Sequence, residues 1–367
     1  MTGKRKVIVA GASGVVGSAV VSRLLADGCA VVAVSRRPPQ QSPALPGLSH
    51  VPVDLRDRAD TRRRLRDIVD ATHIVYAALH ERPGLVQGWR EQEQMRANLE
   101  MLTNMLDALR GRTPLAHVTL LQGTKAYGAH LHRIPIPARE DAARDRHDNF
   151  YWLQEDLLRE RAAQDGWAWT ILRPQTVLGG AVGAAMNPVP VLGVFGALCR
   201  ELRLPFGFPG GRSFPWQASD ARIVASAAAW AGRCARAAGE TFNITNGEAA
   251  DWRQLWPDIA AALNLEPAPD RPRRLATFLP QHADVWRAIA ERDGLRYTDL
   301  GELLGQSHIA ADYCFATDLD HTPPPVLVST IKARQAGFSD CVDTRESLRY
   351  WLDLLVARRV LPHPSAH

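Results

Sequence analysis

Lys6-Val-Ile-Val-Ala-Gly11-Ala-Ser-Gly14-Val-Val-Gly17 runs a short apolar segment into three glycines spaced three residues apart, and an apolar-periodic segment continues to Leu25. A strand followed by this turn and then a helix has a specific physical reading. The first glycine permits the tight turn, the second lets a pyrophosphate approach the backbone, and the third lets helix and strand pack closely. The free N–H groups of the helix's first turn then face the phosphates. A glycine triplet alone marks any tight turn. Its place after the first strand of a βαβ unit makes it a dinucleotide-binding signal.

The pattern continues outward from this stretch. Cys29-Ala-Val-Val-Ala-Val34 reads as a second strand, and a third follows a Pro-rich loop at His50-Val-Pro-Val-Asp-Leu55. A helix near 58–70, a strand at His73-Ile-Val-Tyr-Ala-Ala78, a helix over 88–110 and a strand over 117–122 come next. A helix over 150–164 and a strand at Ala168-Trp-Thr-Ile-Leu172 complete the run. Strands alternating with helices imply a parallel sheet covered on both faces, and continuous rather than alternating apolar strands agree with that. The expected fold is α/β: a Rossmann-type, doubly wound parallel sheet with a smaller, mixed, largely helical second region. Residues 1–180 are expected to form the NADP(H)-binding domain, with about 212–247 returning to it through the strand Thr241-Phe-Asn-Ile-Thr245. Residues 181–367 are expected to be mainly substrate-binding, with helices at 220–234, 252–263, 282–292 and 344–356.

The end of the second strand bears on the cofactor. An acid there would bind the adenosine ribose hydroxyls of NAD; this chain has Ser35, Arg36 and Arg37. Guanidinium groups match a 2′-phosphate bidentately and a serine hydroxyl can donate to it. Solvent-facing loop arginines are the competing reading, but the missing acid and the paired arginines favour NADPH/NADP+. Asp54 is expected either to accept from the adenine amino group or to cap a helix or turn. Ser13, Val15 and Val16 in the glycine turn, Leu55 after the third strand, Ala77 and Ala78 after the fourth, and Gln122 after the fifth complete the expected cofactor contacts.

Bulk properties narrow the class. With 367 residues, 46% apolar and 23% charged, the chain is long enough for one large or two associated domains. The net charge of +5 is spread along the chain, and its densest basic run, Thr61-Arg-Arg-Arg-Leu-Arg66, reads as a solvated helix face. Without a basic tail or zinc-finger spacing, nucleic acid is a poor partner. The five cysteines are far apart and odd in number, so neither a disulfide framework nor a CxxC metal site is indicated. Their scatter, and a strand beginning by residue 6, point to a cytoplasmic protein without a signal peptide. The apolar stretch Ala181–Leu198 is broken by Asn187, Pro188 and Pro190 and is too short to span a bilayer, so it reads as a buried segment on the substrate side. His50, His73 and His117 at strand starts read as packing residues. His130, His132 and His147 lie in loops without metal-site spacing, and no metal is expected.

Only four of the 44 basic residues are lysines, and Lys125 is the sole one between residues 7 and 331. It follows the apolar strand His117-Val-Thr-Leu-Leu-Gln-Gly123, and strand ends in open α/β sheets are where ligands sit. Lysine, unlike arginine, is a compact charge whose proton can be tuned. Short-chain reductases usually carry a tyrosine four residues before a lysine on one helix. Here Asn149-Phe-Tyr-Trp-Leu-Gln-Glu155 offers Tyr151, but Glu155 stands where the lysine would be, and the chain contains no Tyr-x-x-x-Lys.

The chain resembles the progesterone 5β-reductase and iridoid synthase family of atypical extended short-chain dehydrogenases/reductases. The resemblance rests on Gly11-Ala-Ser-Gly-Val-Val-Gly17, Leu121-Gln-Gly-Thr-Lys-Ala-Tyr-Gly128 and Asn149-Phe-Tyr-Trp-Leu-Gln-Glu-Asp156. It continues through Arg173-Pro-Gln-Thr-Val-Leu-Gly179, Phe242-Asn-Ile-Thr-Asn-Gly247 with Trp252 and Trp256, and Lys332-Ala-Arg-Gln-Ala-Gly-Phe338 to Trp351. The displaced lysine together with the Asn-Phe-Tyr helix is its specific part. It implies that Lys125 and Tyr151 form the catalytic pair and that NADPH reduces the C=C bond of an α,β-unsaturated carbonyl compound. It also implies that Pro174, Thr176 and Val177 border the nicotinamide. A phenol aimed at the carbonyl oxygen can donate a hydrogen bond as an enolate forms, and a nearby ammonium can stabilise that charge and favour a lowered tyrosine pKa.

Phe150, Met186, Phe206, Phe208 and Trp216 can line an apolar pocket for a small hydrophobic enone, cyclic or open-chain. The aromatics of 186–216 fit a domain core equally well. A short helix-like stretch is expected over 142–148. Competing functions are an NADP-dependent ketone or aldehyde reductase, a sugar-nucleotide epimerase or dehydratase, and a non-catalytic redox sensor or scaffold. The last needs the glycine motif and Arg36 but neither Lys125 nor Tyr151. The oligomeric state is open, a homodimer being one option.

Overall fold

The computed structural model of the protein describes residues 5–39, 45–82, 89 and 91–364. Its centre is a parallel seven-stranded sheet built from β1 (Lys6–Ala10), β2 (Ala30–Ser35), β3 (Leu48–Pro52), β4 (His73–Tyr76), β5 (His117–Leu121), β6 (Ala168–Pro174) and a last strand, Glu240–Ile244. Across the sheet the order is β3, β2, β1, β4, β5, β6 and Glu240–Ile244, the doubly wound order of a dinucleotide-binding fold. The chain leaves β1 towards β2 on one side and later returns to β4 on the other, so the loops after β1 and β4 diverge at the switch point. They also touch there: the Ala77 N–H donates to the Ala10 carbonyl at 2.9 Å.

Parallel strands require crossovers, and α1 (Val15–Ala26), α2 (Arg58–Leu65), α3 (Gln92–Leu109) and α4 (Phe150–Asp165) supply four of them. α3 turns Met101, Leu102, Met105, Leu106 and Leu109 inward, at helical spacing, onto Ile74, Val118 and Leu120 of the sheet. α4 adds Leu158 and Ala162 to that core and stops at Gly166, whose left-handed backbone (φ +77°) donates its N–H to the Ala162 carbonyl at 2.9 Å. On the other face α1 packs beside the helix Ala221–Ala231.

The chain divides into two compact units. Unit 1 holds Met1–Gln175, Ala221–Thr245 and Val328–Asp340; unit 2 holds Thr176–Asp220, Asn246–Leu327 and Cys341–His367. The segment returning to the sheet is therefore Ala221–Thr245, and a third piece, Val328–Asp340, joins it there. Unit 2 is organised around the helix Pro188–Glu201, which occupies most of the apolar stretch read above as an interrupted segment. Its prolines sit in the first turn, where no intrahelical donor is needed, and the Asn187 side chain caps it by accepting from the Val189 N–H at 3.4 Å. Every residue from Pro188 to Cys199 is buried, an all-round apolar helix enclosed by the helices Ala283–Arg292, Ser307–Cys314 and Thr344–Ala357. No helix among the described residues is long and apolar enough to cross a membrane.

Two local expectations change. The stretch 142–148 is irregular rather than helical, because its polar side chains bond locally: Asp145 pairs with His132 at 2.6 Å and with His147 at 2.8 Å. The second helix stops at Leu65, short of residue 70.

The closeness of the first turn is measurable. A Cβ on Gly17 would fall 2.1 Å from the Gly11 carbonyl oxygen and 3.0 Å from the Ala12 Cα, both rigid backbone. A Cβ on Gly14 would meet only the Gly11 carbonyl oxygen, at 3.2 Å. Gly17→Ala is expected to destabilise the protein by about 1–3 kcal/mol, the usual range for overpacking. Gly14→Ala should cost less. Urea midpoints of the two variants check both the size and the order.

Candidate active site

β5 delivers the chain to an extended Gly123 and then to a 3₁₀ turn, Thr124–Tyr127, which closes on Gly128 in the left-handed region (φ +75°). Lys125 is carried on this turn. α4 starts at Phe150, and its cap residue Asn149 serves both catalytic candidates. Its Oδ1 accepts from the Tyr151 N–H at 3.0 Å, and its Nδ2 donates to the Lys125 carbonyl at 3.0 Å. One amide therefore sets the turn of Lys125 against the helix of Tyr151. The Tyr151 hydroxyl reaches back to Gly123, 3.4 Å from where a Cβ on that glycine would stand.

A buried polar network fixes α4 from beneath. Gln122 donates from Nε2 to the Tyr151 carbonyl at 3.1 Å and accepts at Oε1 from Arg173 Nε at 3.0 Å. Arg173, at the end of β6, also donates from Nη2 to Glu155 Oε2 at 3.3 Å, and both side chains of this ion pair are nearly sealed, at 6% and 5% exposure. Arg159 and Arg144 complete the charge around Glu155 Oε1 at 2.7 and 3.2 Å. The position that carries lysine in the usual arrangement thus holds the carboxylate partner of a buried arginine.

Against the turn of Lys125 lies an apolar cluster of Trp89, Met95, Ala126, Phe150 and Tyr151. Trp89 is its hub, with ring centroids 4.7 Å from Phe150 and 5.3 Å from Tyr151. The Lys125 ammonium sits 3.5 Å from the centroid of the Trp89 ring, a cation–π contact. The Trp89 indole N–H donates to Glu81 Oε1 at 2.6 Å, and the same oxygen lies 4.0 Å from Lys125 Nζ.

These neighbours set the protonation states. Burial pulls the Lys125 pKa down to about 8, with the Glu81 carboxylate opposing it. Burial, and then Glu81, push the Tyr151 phenol well above its ordinary value, against a smaller opposing pull from Arg173. The expected lowering of the tyrosine pKa is therefore reversed, because desolvation and a carboxylate outweigh the cations around it. Tyr151 is a protonated phenol at neutral pH, able to donate a hydrogen bond.

The cofactor candidates gather at the switch point. A Cβ on Gly11 (φ +77°) would stand 2.6 Å from the Ala77 carbonyl oxygen, so the turn after β1 lies directly on the Ala77-Ala78 loop. No side chain caps α1, whose N-cap is Gly14; Ser13 precedes that cap, and Val15, Val16 and Gly17 form the first turn. An uncapped helix start is open to an anion. Ser35 does not offer its hydroxyl outward: Oγ donates to the Arg37 carbonyl at 2.6 Å, leaving Arg36 and Arg37 exposed. Asp54 is held by Arg56, with contacts down to 2.6 Å, and Arg56 chiefly keeps its carboxyl below the ordinary range, with a smaller pull from Arg36. Leu55 is buried and its carbonyl accepts from Asn104 Nδ2 at 2.8 Å. Beside them a cavity of about 330 Å³ is lined by Arg56, His80, Glu93, Arg96, Ala97 and Glu100.

The remaining candidates scatter. Pro174 ends β6 with its carbonyl oxygen 3.5 Å from the Cβ position of Gly123, while Thr176 and Val177 open unit 2 in the strand Thr176–Leu178. Phe150 lies beside Tyr151, whereas Met186 is exposed. Phe206, Phe208 and Trp216 are 2–3% exposed. Phe206 stacks on Trp256 at 4.6 Å, Trp216 stacks on Trp252 at 4.2 Å, and Phe208 meets Phe315 at 5.8 Å. These three form the aromatic core of unit 2 rather than a lining. Sequence reading missed Glu81, Trp89, Asn149 and Arg56 as site residues. Glu81 and Trp89 lie between β4 and α3; Trp89 falls at the start of the helix expected over 88–110, and Glu81 carries no motif.

The NAD dependent epimerase/dehydratase family matches residues 7–189. The (S)-8-oxocitronellyl enol synthase of Nepeta racemosa is 28% identical over 97% of this chain and 92% of its own length. The 3-oxo-Delta(4,5)-steroid 5-beta-reductase of Arabidopsis thaliana shows the same identity and coverage. The chain is similar to proteins of the progesterone 5β-reductase and iridoid synthase family over nearly its whole length. It is an NAD(P)-binding oxidoreductase of the extended short-chain class. The UDP-glucose 4-epimerases of Thermus thermophilus (21% identity, TM-score 0.63, 95% of this chain and 98% of theirs) and Thermotoga maritima (15%, 0.68, 96% and 99%) share its fold.

Glu155→Ala strands Arg173 in the interior. Removing one partner of a buried pair costs about 3–5 kcal/mol, since the other charge stays desolvated. A loss of that size is expected in denaturant melts of Glu155→Ala; a change below about 1 kcal/mol would show that water or Gln122 alone satisfies Arg173.

Proposed function

We propose that this enzyme uses NADPH to reduce the activated C=C bond of α,β-unsaturated carbonyl compounds, with hydride added at the β-carbon. The observation that carries the reading is the joint placement of Lys125 and Tyr151 around Trp89 and Asn149, with a structural glutamate where the usual lysine would stand. The two named relatives, an enol synthase and a 3-oxo-Δ4,5-steroid reductase, both point to conjugated carbonyl chemistry.

The residues present fit a dinucleotide. Gly11 and Gly17 let the turn after β1 close tightly on the Ala77-Ala78 loop and on α1, which sets the uncapped helix start at the switch point. Gly11, Ser13, Gly14, Val15, Val16 and Gly17 would hold the pyrophosphate. Arg36 and Arg37 would hold a 2′-phosphate, with Arg56 adding positive charge nearby. When bound, NADPH supplies the hydride. The protein's own residues do the rest. Tyr151, protonated and desolvated, donates a hydrogen bond to the substrate carbonyl oxygen as negative charge moves onto it. Lys125 adds positive charge below about pH 8, and the surrounding apolar cluster excludes water that would screen both. Phe150 and Trp89, each 2% exposed, pack behind Tyr151 and Lys125 and hold them in place, while Phe206, Phe208 and Trp216 pack in the core of unit 2.

Tyr151→Phe removes the donor while keeping the ring. A loss of about 100–1000-fold in turnover is expected, the worth of one preorganised oxyanion donor. A weakly electrophilic cyclic enone is the suitable probe, and product analysis reads the reaction type. Saturated ketone supports the proposal, whereas allylic alcohol with its alkene intact would identify a carbonyl reductase. Arg36→Ala is expected to weaken NADPH by about 1.5–3 kcal/mol, one charge-assisted contact, and to leave NADH nearly unchanged. Calorimetric titration with both cofactors checks this, and equal loss for the two would remove the phosphate-clamp reading.

A further inference from the structure

We propose that Glu81 is a positioning residue of the active site: held by the Trp89 indole, its carboxylate keeps the Lys125 ammonium charged and seated against the Trp89 ring. This rests on the reading of Lys125 as a working residue of the site.

Three contacts close a triangle. Trp89 Nε1 donates to Glu81 Oε1 at 2.6 Å, that oxygen lies 4.0 Å from Lys125 Nζ, and Nζ stands 3.5 Å from the Trp89 ring centroid. The Glu81 side chain is 5% exposed, and its Oε2 has no hydrogen-bond partner among the described residues. A carboxylate so desolvated is expensive unless a cation sits close. The Lys125 side chain, 22% exposed, is the cation at hand, and among the described residues no other carboxylate pairs with it. The ion pair does work in both directions, offsetting the burial of each charge.

The other titratable and charged groups around this centre have different partners. Asn149 separates His147 from the Lys125 turn, bonding His147 Nε2 at 3.1 Å. His130 faces the Trp89 ring at 6.0 Å and His147 at 5.3 Å. Asp145 is taken by His132 and His147, and Arg173 by Glu155. Tyr151 contacts Trp89 through its ring and stays neutral. Glu81 is thus the group whose removal changes the charge felt at Nζ. Burial already favours neutral Lys125, and Glu81 opposes it. Without Glu81 the lysine should lose its proton at lower pH.

The scarcity of lysine makes the test direct. With four lysines in the chain, selective ¹³Cε-lysine labelling gives four side-chain signals, and Lys125→Met assigns the relevant one. In the full-length protein without substrate, Glu81→Gln is expected to lower the Lys125 titration midpoint by about one unit or more. Trp89→Phe, which keeps the ring but deletes the N–H, should lower it by less, and Glu81→Asp should restore part of the shift. A one-unit shift from about 8 also moves the alkaline limb of kcat, with a loss of about fivefold at pH 8 and almost none at pH 6. A Lys125 midpoint unmoved in Glu81→Gln overturns the proposal. Should Glu81→Gln fail to fold, unmoved midpoints in both Trp89→Phe and Glu81→Asp overturn it instead. The titration needs no turnover, so it stands or falls apart from the enone assignment, which the Tyr151→Phe and product measurements decide.

Discussion

The buried ion pair between Arg173 and Glu155 is the constraint around which the catalytic half of unit 1 is arranged. Arg173 is the penultimate residue of β6, Glu155 lies one turn along α4 from Tyr151, and Gln122 after β5 bonds both Arg173 and the Tyr151 backbone. Two strands and a helix are thereby pinned at the sheet's carboxyl end, where ligands of open α/β sheets sit. The cost is a charge at the fourth position after Tyr151 that must be negative. A lysine in that place would remove the buried carboxylate that partners Arg173 and add a second cation beside it. A cation beside Tyr151 therefore comes from another element. The turn after β5 is the natural source, because Asn149 already joins its backbone to the start of α4.

Moving the cation changes its surroundings. A lysine on α4 would be carried by the tyrosine's own helix; Lys125 instead lies on the indole of Trp89 with a carboxylate nearby. Burial brings its pKa to about 8, close to working pH, while the Tyr151 phenol is pushed upward. The two shifts point the same way chemically. A phenol that resists ionisation is a hydrogen-bond donor in the ground state, and an ammonium close to its midpoint is sensitive to small changes in its environment. Arginine, for all its abundance in this chain, would fix the charge here, because its proton does not leave at working pH.

The fold was largely legible because its signals are local. Continuous Val/Ile/Ala strands, a strand–Gly–helix junction and α3's apolar periodicity each follow from backbone geometry and burial, and the sheet order follows from the alternation. Lys125 and Tyr151 stood out in the sequence as a lone lysine and a tyrosine lacking its usual partner, and the structure joins their elements through Asn149. Glu81 and Trp89 were hidden because they carry no motif and acquire meaning only when folding brings them to Lys125. Phe206, Phe208 and Trp216 were ambiguous on composition alone, since aromatics that line a pocket and aromatics that fill a core look alike in one dimension. Their stacking on Trp256 and Trp252 decides for the core. The helix Pro188–Glu201 was obscured by prolines that break a helix interior but suit its first turn.

A fold shared with UDP-glucose 4-epimerases at 15–21% identity says little about chemistry, since one dinucleotide scaffold hosts many reactions. What separates reactions on it is where charge is placed around the carbon that exchanges hydride. A tyrosine that gives up its proton is suited to oxidising an alcohol or reducing a ketone, where a full proton must move. The Tyr151 environment disfavours the phenolate: it is buried, near Glu81, and only weakly helped by Arg173. Stabilising an enolate requires a donated hydrogen bond rather than a transferred proton, and the carbon that finally takes a proton can take it from solvent after the oxygen has been released. A protonated, buried Tyr151 is a hydrogen-bond donor to the developing oxyanion in either reaction, and the substrate carbon that faces the hydride separates the two.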